Sequence, residues 1–143
     1  MYQYRARVNR VIDGDSVVLD IDLGFDTWMN NQHIRIYGID TPESRTRDLD
    51  EKARGLMATD HVRSLLGIGD VVIINTHKDS GGKFGRILAR ITNSDGIDIS
   101  ESLLENNLAV SYYGQSKEEI IQQHLDNREI LIIEKKFTPN ASK

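Results

Sequence analysis

Five stretches of strand-like patterning, with helical patterning inserted only after the third, restrict the folds open to this chain more than any other feature. Tyr2, Tyr4, Ala6 and Val8 alternate with polar residues, so residues 2–12 read as a first strand. Asp13-Gly14 supplies hairpin chemistry, since both residues tolerate a positive φ. Val17, Leu19, Ile21 and Leu23 then make one face of a second strand, with Asp20 and Asp22 on the other. Residues 24–31 read as a turn carrying the single tryptophan, Trp28, as a partly buried anchor. A third strand over 32–39 completes a three-strand meander. Residues 71–77, apolar on both faces, predict a buried fourth strand. Residues 86–93, with Ile87, Ala89 and Ile91 on one side, predict a fifth.

The helical pattern is equally ordered. Residues 44–50 lack periodicity and read as a mobile loop. A helix is expected over 51–66, where Gly55, Ala58, Val62, Leu65 and Leu66 fall within an arc of about 100°. Leu56 and Met57 lie off that stripe. Asp98 with Glu101 fits a capping box opening a short helix through Leu103, Leu104 and Leu108. Ser116 with Glu119 fits a second, starting a helix that runs to about Lys136. Residues 138–143 read as a frayed tail. Five strands with a helix after the third is the element order of a five-stranded Greek-key barrel, the OB-fold. The expected class is α+β, one domain over 1–143 with three α-helices.

Composition narrows function more than fold. The chain has no cysteine, which excludes a disulfide framework, a thiolate zinc site and a thiol nucleophile. A net charge of −4 argues against coating nucleic acid by bulk attraction. Locally, Arg5, Arg7 and Arg10 make the first strand basic, and Asp13, Asp15, Asp20, Asp22 and Asp26 follow. No apolar run approaches a membrane span, so no membrane partner is expected. The first residues enter the strand pattern directly and are not a signal peptide, as expected of a cytoplasmic chain or of a processed secreted one.

The chemistry gathers at residues 34–43, Ile-Arg-Ile-Tyr-Gly-Ile-Asp-Thr-Pro-Glu. A strand is stopped by Asp-Thr-Pro, because proline cannot donate to a sheet ladder and restricts its predecessor. Two carboxylates, Asp40 and Glu43, and a guanidinium, Arg35, are thereby delivered to one strand end. Carboxylates suit a hard cation and a planar guanidinium suits a phosphate. With Val11-Ile12-Asp13-Gly14-Asp15-Ser16 and Gly82-Lys83-Phe84-Gly85-Arg86, this stretch resembles the three signature segments of the staphylococcal nuclease (thermonuclease) family. The resemblance extends from about Arg7 to Tyr113. It implies a Ca²⁺-dependent nuclease acting on DNA and RNA and leaving 3′-phosphate ends, on that same barrel; a monomer is expected.

Residue by residue, the resemblance implies that Asp15, Asp40 and the backbone carbonyl of Thr41 hold Ca²⁺, with water completing the shell. Glu43 is the counterpart of the family's glutamate that activates or positions the attacking water. Arg35 and Arg86 are the counterparts of its two phosphate-clamping arginines. Lys83 adds a possible phosphate contact. Phe84 stands where tyrosine is common, losing a phenolic hydrogen bond but keeping a stacking ring. Tyr112 and Tyr113 fall where the family's nucleotide pocket carries tyrosines, and only one of two adjacent side chains is expected to face substrate. Asp13 stays open between turn residue and site residue. Asp13-x-Asp15 is not an EF-hand, because the twelfth position is Gly24 and not glutamate. His33, His61, His77 and His124 lack metal-ligand spacing and read as surface or capping residues. The chain departs from the family at Glu129-Ile130-Leu131-Ile132-Ile133, whose apolar side chains would bury more deeply or support self-association.

Two other readings compete. One is a non-catalytic OB module binding nucleic acid or protein, which would have no need of Asp15, Arg35, Asp40, Glu43 and Arg86 together. The other is a Mg²⁺-dependent nuclease using Asp40 with Asp50-Glu51-Lys52, whose Asp-x-Lys pair would sit at a helix start and not on a strand.

Overall fold

The structure is a computed structural model describing residues 2–77 and 86–139. Strands β1 (Gln3–Asp13), β2 (Ser16–Asp22), β3 (Trp28–Ile36), β5 (Val71–His77) and β6 (Arg86–Thr92) close into a barrel in the order β1-β2-β3-β6-β5. Short strands β4 (Ile39–Asp40) and β7 (Val110–Ser111) pair beside it. All barrel pairings are antiparallel except β3 with β6. Three helices, α1 (Leu49–Leu65), α2 (Ile99–Glu105) and α3 (Lys117–Ile133), complete an α+β fold on a five-stranded closed barrel, as expected.

Inward-facing Ala6, Val8, Leu19, Ile34, Ile36, Ile74, Ala89 and Ile91 fill the barrel, and Ala58, Val62 and Leu66 of the α1 region cap it. The alternation of β1 is broken twice. Register shifts between Val8 and Arg10 and between Val11 and Asp13 insert an extra residue opposite β2 each time. Such bulges bend and twist a strand. Here they move the inward position from even to odd residues, so Val11 packs against the core and the β1–β2 turn swings toward α1.

That turn explains Gly14 differently from hairpin propensity. Gly14 is absent from the residues with positive φ. A Cβ there would lie 2.8 Å from Ala58 Cβ and 3.0 Å from Thr41 Cγ2. Glycine is required because helix and loop close upon it, not because the backbone is left-handed.

Several boundaries differ from the sequence expectation. The β2–β3 turn is confined to Leu23–Thr27, closed by Leu23 N–H donating to Thr27 O at 2.8 Å. β3 therefore starts at Trp28, four residues early, and ends at Ile36, before a turn at Gly38 with φ 83°. Trp28, expected as a partly buried anchor, opens β3 at 36% exposure and is covered by Arg7, whose guanidinium is 5.0 Å from the ring centroid. Val71–His77 is buried only at Val72 and Ile74, since its other face meets solvent. α1 begins at Leu49 because Asp48 Oδ1 accepts from the N–H groups of Asp50 and Glu51, both at 3.1 Å. The expected loop thus supplies the cap and first turn of that helix. Leu56 is exposed and Met57 packs at the core edge.

The capping residues Asp98 and Ser116 act as expected, accepting from Glu101 and Glu119 N–H. α3 stops at Ile133, three residues short of Lys136, because Lys135 turns left-handed at φ 60°. Lys136 N–H then returns to Leu131 O at 2.9 Å, and Phe137 is buried in the core. Within the apolar run Leu131 is buried while Ile133 is 77% exposed.

Candidate active site

Strand pairing assembles the site. Ser16 opposite Arg35 brings the β1–β2 turn beside β3, and Ile36 N–H donates to Asp15 O at 2.9 Å. The parallel pairs His33 with Arg86 and Arg35 with Leu88 put both arginines on the same face of neighbouring strands. After Gly38, β4 delivers Asp40, paired with Val110 of β7. Arg35 sits between two carboxylates: its Nη1 is 3.4 Å from Asp15 Oδ2 and its Nη2 3.7 Å from Asp40 Oδ1. Its Nη1 also donates to Ile36 O at 3.2 Å. With a side chain 16% exposed, Arg35 is held in place.

A cleft of about 560 Å³ opens here, lined by Arg35, Asp40, Glu43 and Arg86 from the barrel side. Glu51 of α1 and Tyr112, Gln115, Lys117 and His124 at and within α3 line its other walls. Arg86 Nε is buried and has no hydrogen-bond partner among the described residues. Buried polar groups are rarely left so, and the exceptions cluster where an unseen partner binds.

Glu43 projects into the opening, but its backbone is clamped. Its N–H donates to Glu51 Oε2 at 3.1 Å. One turn along α1, Gly55 lies so close that a Cβ would meet Glu43 C and O and Pro42 O, each at 2.7 Å. Loss of water in the cleft raises the Glu43 pKa above the ordinary carboxylate value, reinforced by the charges of Asp15, Asp40 and Glu51 and opposed by Arg35. Burial, and then Asp15, push the Asp13 carboxyl up to about 6. Asp13 Oδ1 accepts from Asp15 N–H at 3.3 Å, as a turn residue does, while its charge belongs to the same cluster.

Asp15 and Asp40 face Arg35 and Glu43 lines the same cleft, while the raised pKa values of Asp13 and Glu43 reflect burial first and the neighbouring carboxylates second. An all-oxygen set with excess negative charge fits a hard cation. Among the described residues no three His, Asp or Glu side chains converge with metal-ligand geometry. Asp15 and Asp40 are both engaged by Arg35, and Thr41, next to Asp40 in sequence, is buried.

Of the two tyrosines, Tyr112 lines the cleft. Tyr113 turns to Tyr37, edge-on at 6.0 Å, and Tyr37 stacks on His77 at 3.8 Å. Lys83 and Phe84 lie outside the described residues. The histidine expectation holds for His33, which is exposed, and needs correction for the other three. His61 bonds Ser102 Oγ at 2.7 Å, His77 stacks as above, and His124 places Nε2 2.9 Å from Asp40 Oδ2. Nothing local in the sequence marks His124, which is 84 residues from its partner. Glu51 is legible only in hindsight, one helical turn before Gly55. Asp50, the carboxylate of the alternative Mg²⁺ reading, is bound by Arg54 at 3.0 Å and by Arg128 at 3.0 Å and does not line the cleft.

A closed OB barrel carrying this charged cleft defines a staphylococcal nuclease-like domain. Residues 33–136 match the model of the family described as staphylococcal nuclease homologue, and the chain belongs to that family. It is similar to endonuclease YhcR of Bacillus subtilis (strain 168), 26% identical over 116 residues. That match covers 78% of this chain and 9% of the relative, so the chain spans about a tenth of its length.

Proposed function

We propose that the chain hydrolyses phosphodiester bonds of DNA and RNA, depends on Ca²⁺, and leaves 3′-phosphate ends. The observation that carries this reading is Arg35 fixed between Asp15 and Asp40 in the cleft that Glu43 and Arg86 also line. A domain that only bound nucleic acid would have no use for four crowded carboxylates, which repel the backbone it must hold.

Each part of the chemistry has a residue. Arg35 and Arg86 bind the non-bridging oxygens of the reacting phosphate. A rigid guanidinium donates two parallel hydrogen bonds and stays charged at any working pH. Glu43 orients a water and takes its proton as the oxygen attacks phosphorus. The new P–O bond forms as the bond to the 5′-oxygen breaks, and that oxygen leaves as an alkoxide that takes up a proton from solvent water. A positioned general base contributes typically 10²- to 10⁴-fold. Electrostatic stabilisation must supply much of the remainder. Ca²⁺, held by Asp15, Asp40 and the Thr41 carbonyl, would add positive charge beside the phosphate. Tyr112 offers a face on which a base can stack, which tolerates any sequence.

The test is cleavage of single-stranded DNA in Ca²⁺, Mg²⁺ or EDTA, with the ends identified. Turnover with Ca²⁺, far less with Mg²⁺, none with EDTA, and 3′-phosphate products are expected. A flexible carboxylate, carbonyl and water site suits Ca²⁺ better than the strict octahedron of Mg²⁺. Equal turnover with Mg²⁺ and 5′-phosphate ends would overturn the proposal.

A further inference from the structure

We propose that His124 is a positioning residue for Asp40, so that the C-terminal helix forms part of the cation site. The inference rests on the proposed role of Asp40 toward Ca²⁺. An ionised carboxylate only accepts hydrogen bonds, so His124 Nε2, 2.9 Å from Asp40 Oδ2, carries the hydrogen. The His124 side chain is 12% exposed. The other oxygen, Oδ1, faces Arg35. With Oδ2 held by His124 and Oδ1 facing Arg35 at 3.7 Å, the Asp40 carboxylate is oriented from both sides before any cation would bind.

The way α3 docks supports this role. Its inward polar contacts fall at 124, 127 and 128, on the face that also carries Ile120 and Leu131. His124 meets Asp40, Asn127 Nδ2 donates to Ala109 O at 3.0 Å, and Arg128 Nε meets Asp50 at 3.0 Å. Only Leu131 of this helix is buried. A helix that served packing alone would place apolar side chains on that face, where contacts need less exact geometry. Polar contacts aim the helix, and the first of them is aimed at Asp40. Partners that orient a metal ligand from behind are typically worth about 10- to 100-fold in metal affinity.

The experiment measures Ca²⁺ binding by calorimetry on the full chain without substrate, for wild type, His124→Ala, His124→Gln and Arg128→Ala. Thermal melts fix a temperature at which all four are folded. His124→Ala should bind Ca²⁺ about 10-fold or more weakly. Glutamine can place a donor near the position of Nε2, so His124→Gln should stay within about threefold of wild type. Arg128→Ala removes a tether of α3 without touching Asp40, and should lower the melting temperature while keeping the affinity. Without metal, Asp40→Asn should shift the His124 ring nitrogen resonances. Unchanged affinity in His124→Ala, equal losses in His124→Ala and Arg128→Ala, or His124 resonances indifferent to Asp40→Asn would each overturn the inference. Failure of wild type to bind Ca²⁺ would overturn it together with the proposed cation, and is thereby distinguishable.

Discussion

Gly55→Ala should separate stability from activity. The new Cβ would sit 2.7 Å from three backbone atoms of Pro42 and Glu43, where ordinary contact begins at 3.4 Å. One side must yield by about 0.7 Å, and neither α1 nor a segment containing proline deforms freely. Alanine in a helix interior gains about 1 kcal/mol over glycine. Overpacking costs typically 1–3 kcal/mol. The net loss is therefore about 0–2 kcal/mol, a fall of several degrees in melting temperature at most. Activity should respond far more. Glu43 is the residue pushed, and a displacement near 1 Å at a reacting group can cost about 10²-fold. The assay pairs thermal melting with single-turnover DNA cleavage, and Leu56→Ala at the adjoining exposed position serves as control. A Gly55→Ala variant with wild-type cleavage and higher stability would refute the claim that α1 sets the position of Glu43.

Arg35→Lys and Arg86→Lys should each lose most of the cleavage rate with little change in thermal stability, because lysine keeps the charge but not the fork. Comparable kinetics in both variants and wild type would show that neither side chain clamps the reacting phosphate. Burial lowers the pKa of His61, so its protonation is harder in the folded chain than in the unfolded one. The unfolded chain then takes the proton first, and stability should fall as pH drops through about 6.5. His77 is shifted the same way. His61→Gln should flatten that slope in urea titrations between about pH 7 and 5, and an unchanged slope would mean that His61 does not contribute.

The barrel was legible because side-chain alternation and local turn and cap chemistry report what each short segment buries. Val17, Leu19 and Ile21, or Asp98 before α2, carry their meaning locally. What escaped depends on distant partners. The β1 bulges are fixed by the pairing with β2; the sequence shows only that apolar alternation lapses at Asn9-Arg10 and resumes at Val11. Gly14 has the composition of a flexible turn but is demanded by Ala58 and Thr41. Phe137, between the expected helix and the expected tail, is buried because Lys135 turns the chain back over Leu131. In the candidate site, Asp15, Arg35, Asp40, Glu43 and Arg86 were visible through motif resemblance, and the barrel gathers them. Glu51 and His124 were invisible because their partners are 8 and 84 residues away.

The most direct test of the account is a Ca²⁺ titration of single-stranded DNA cleavage for wild type, Glu43→Gln and Asp40→Asn. Glutamine keeps the shape of Glu43 but removes the base, so the chemical step should slow by roughly 10²-fold or more at every Ca²⁺ concentration. Asp40→Asn should shift the titration to higher Ca²⁺, and added metal should restore part of its rate. Full recovery of Glu43→Gln at high Ca²⁺ would make Glu43 a metal ligand and not the base, and wild type without cleavage at any Ca²⁺ concentration would contradict the proposed activity itself.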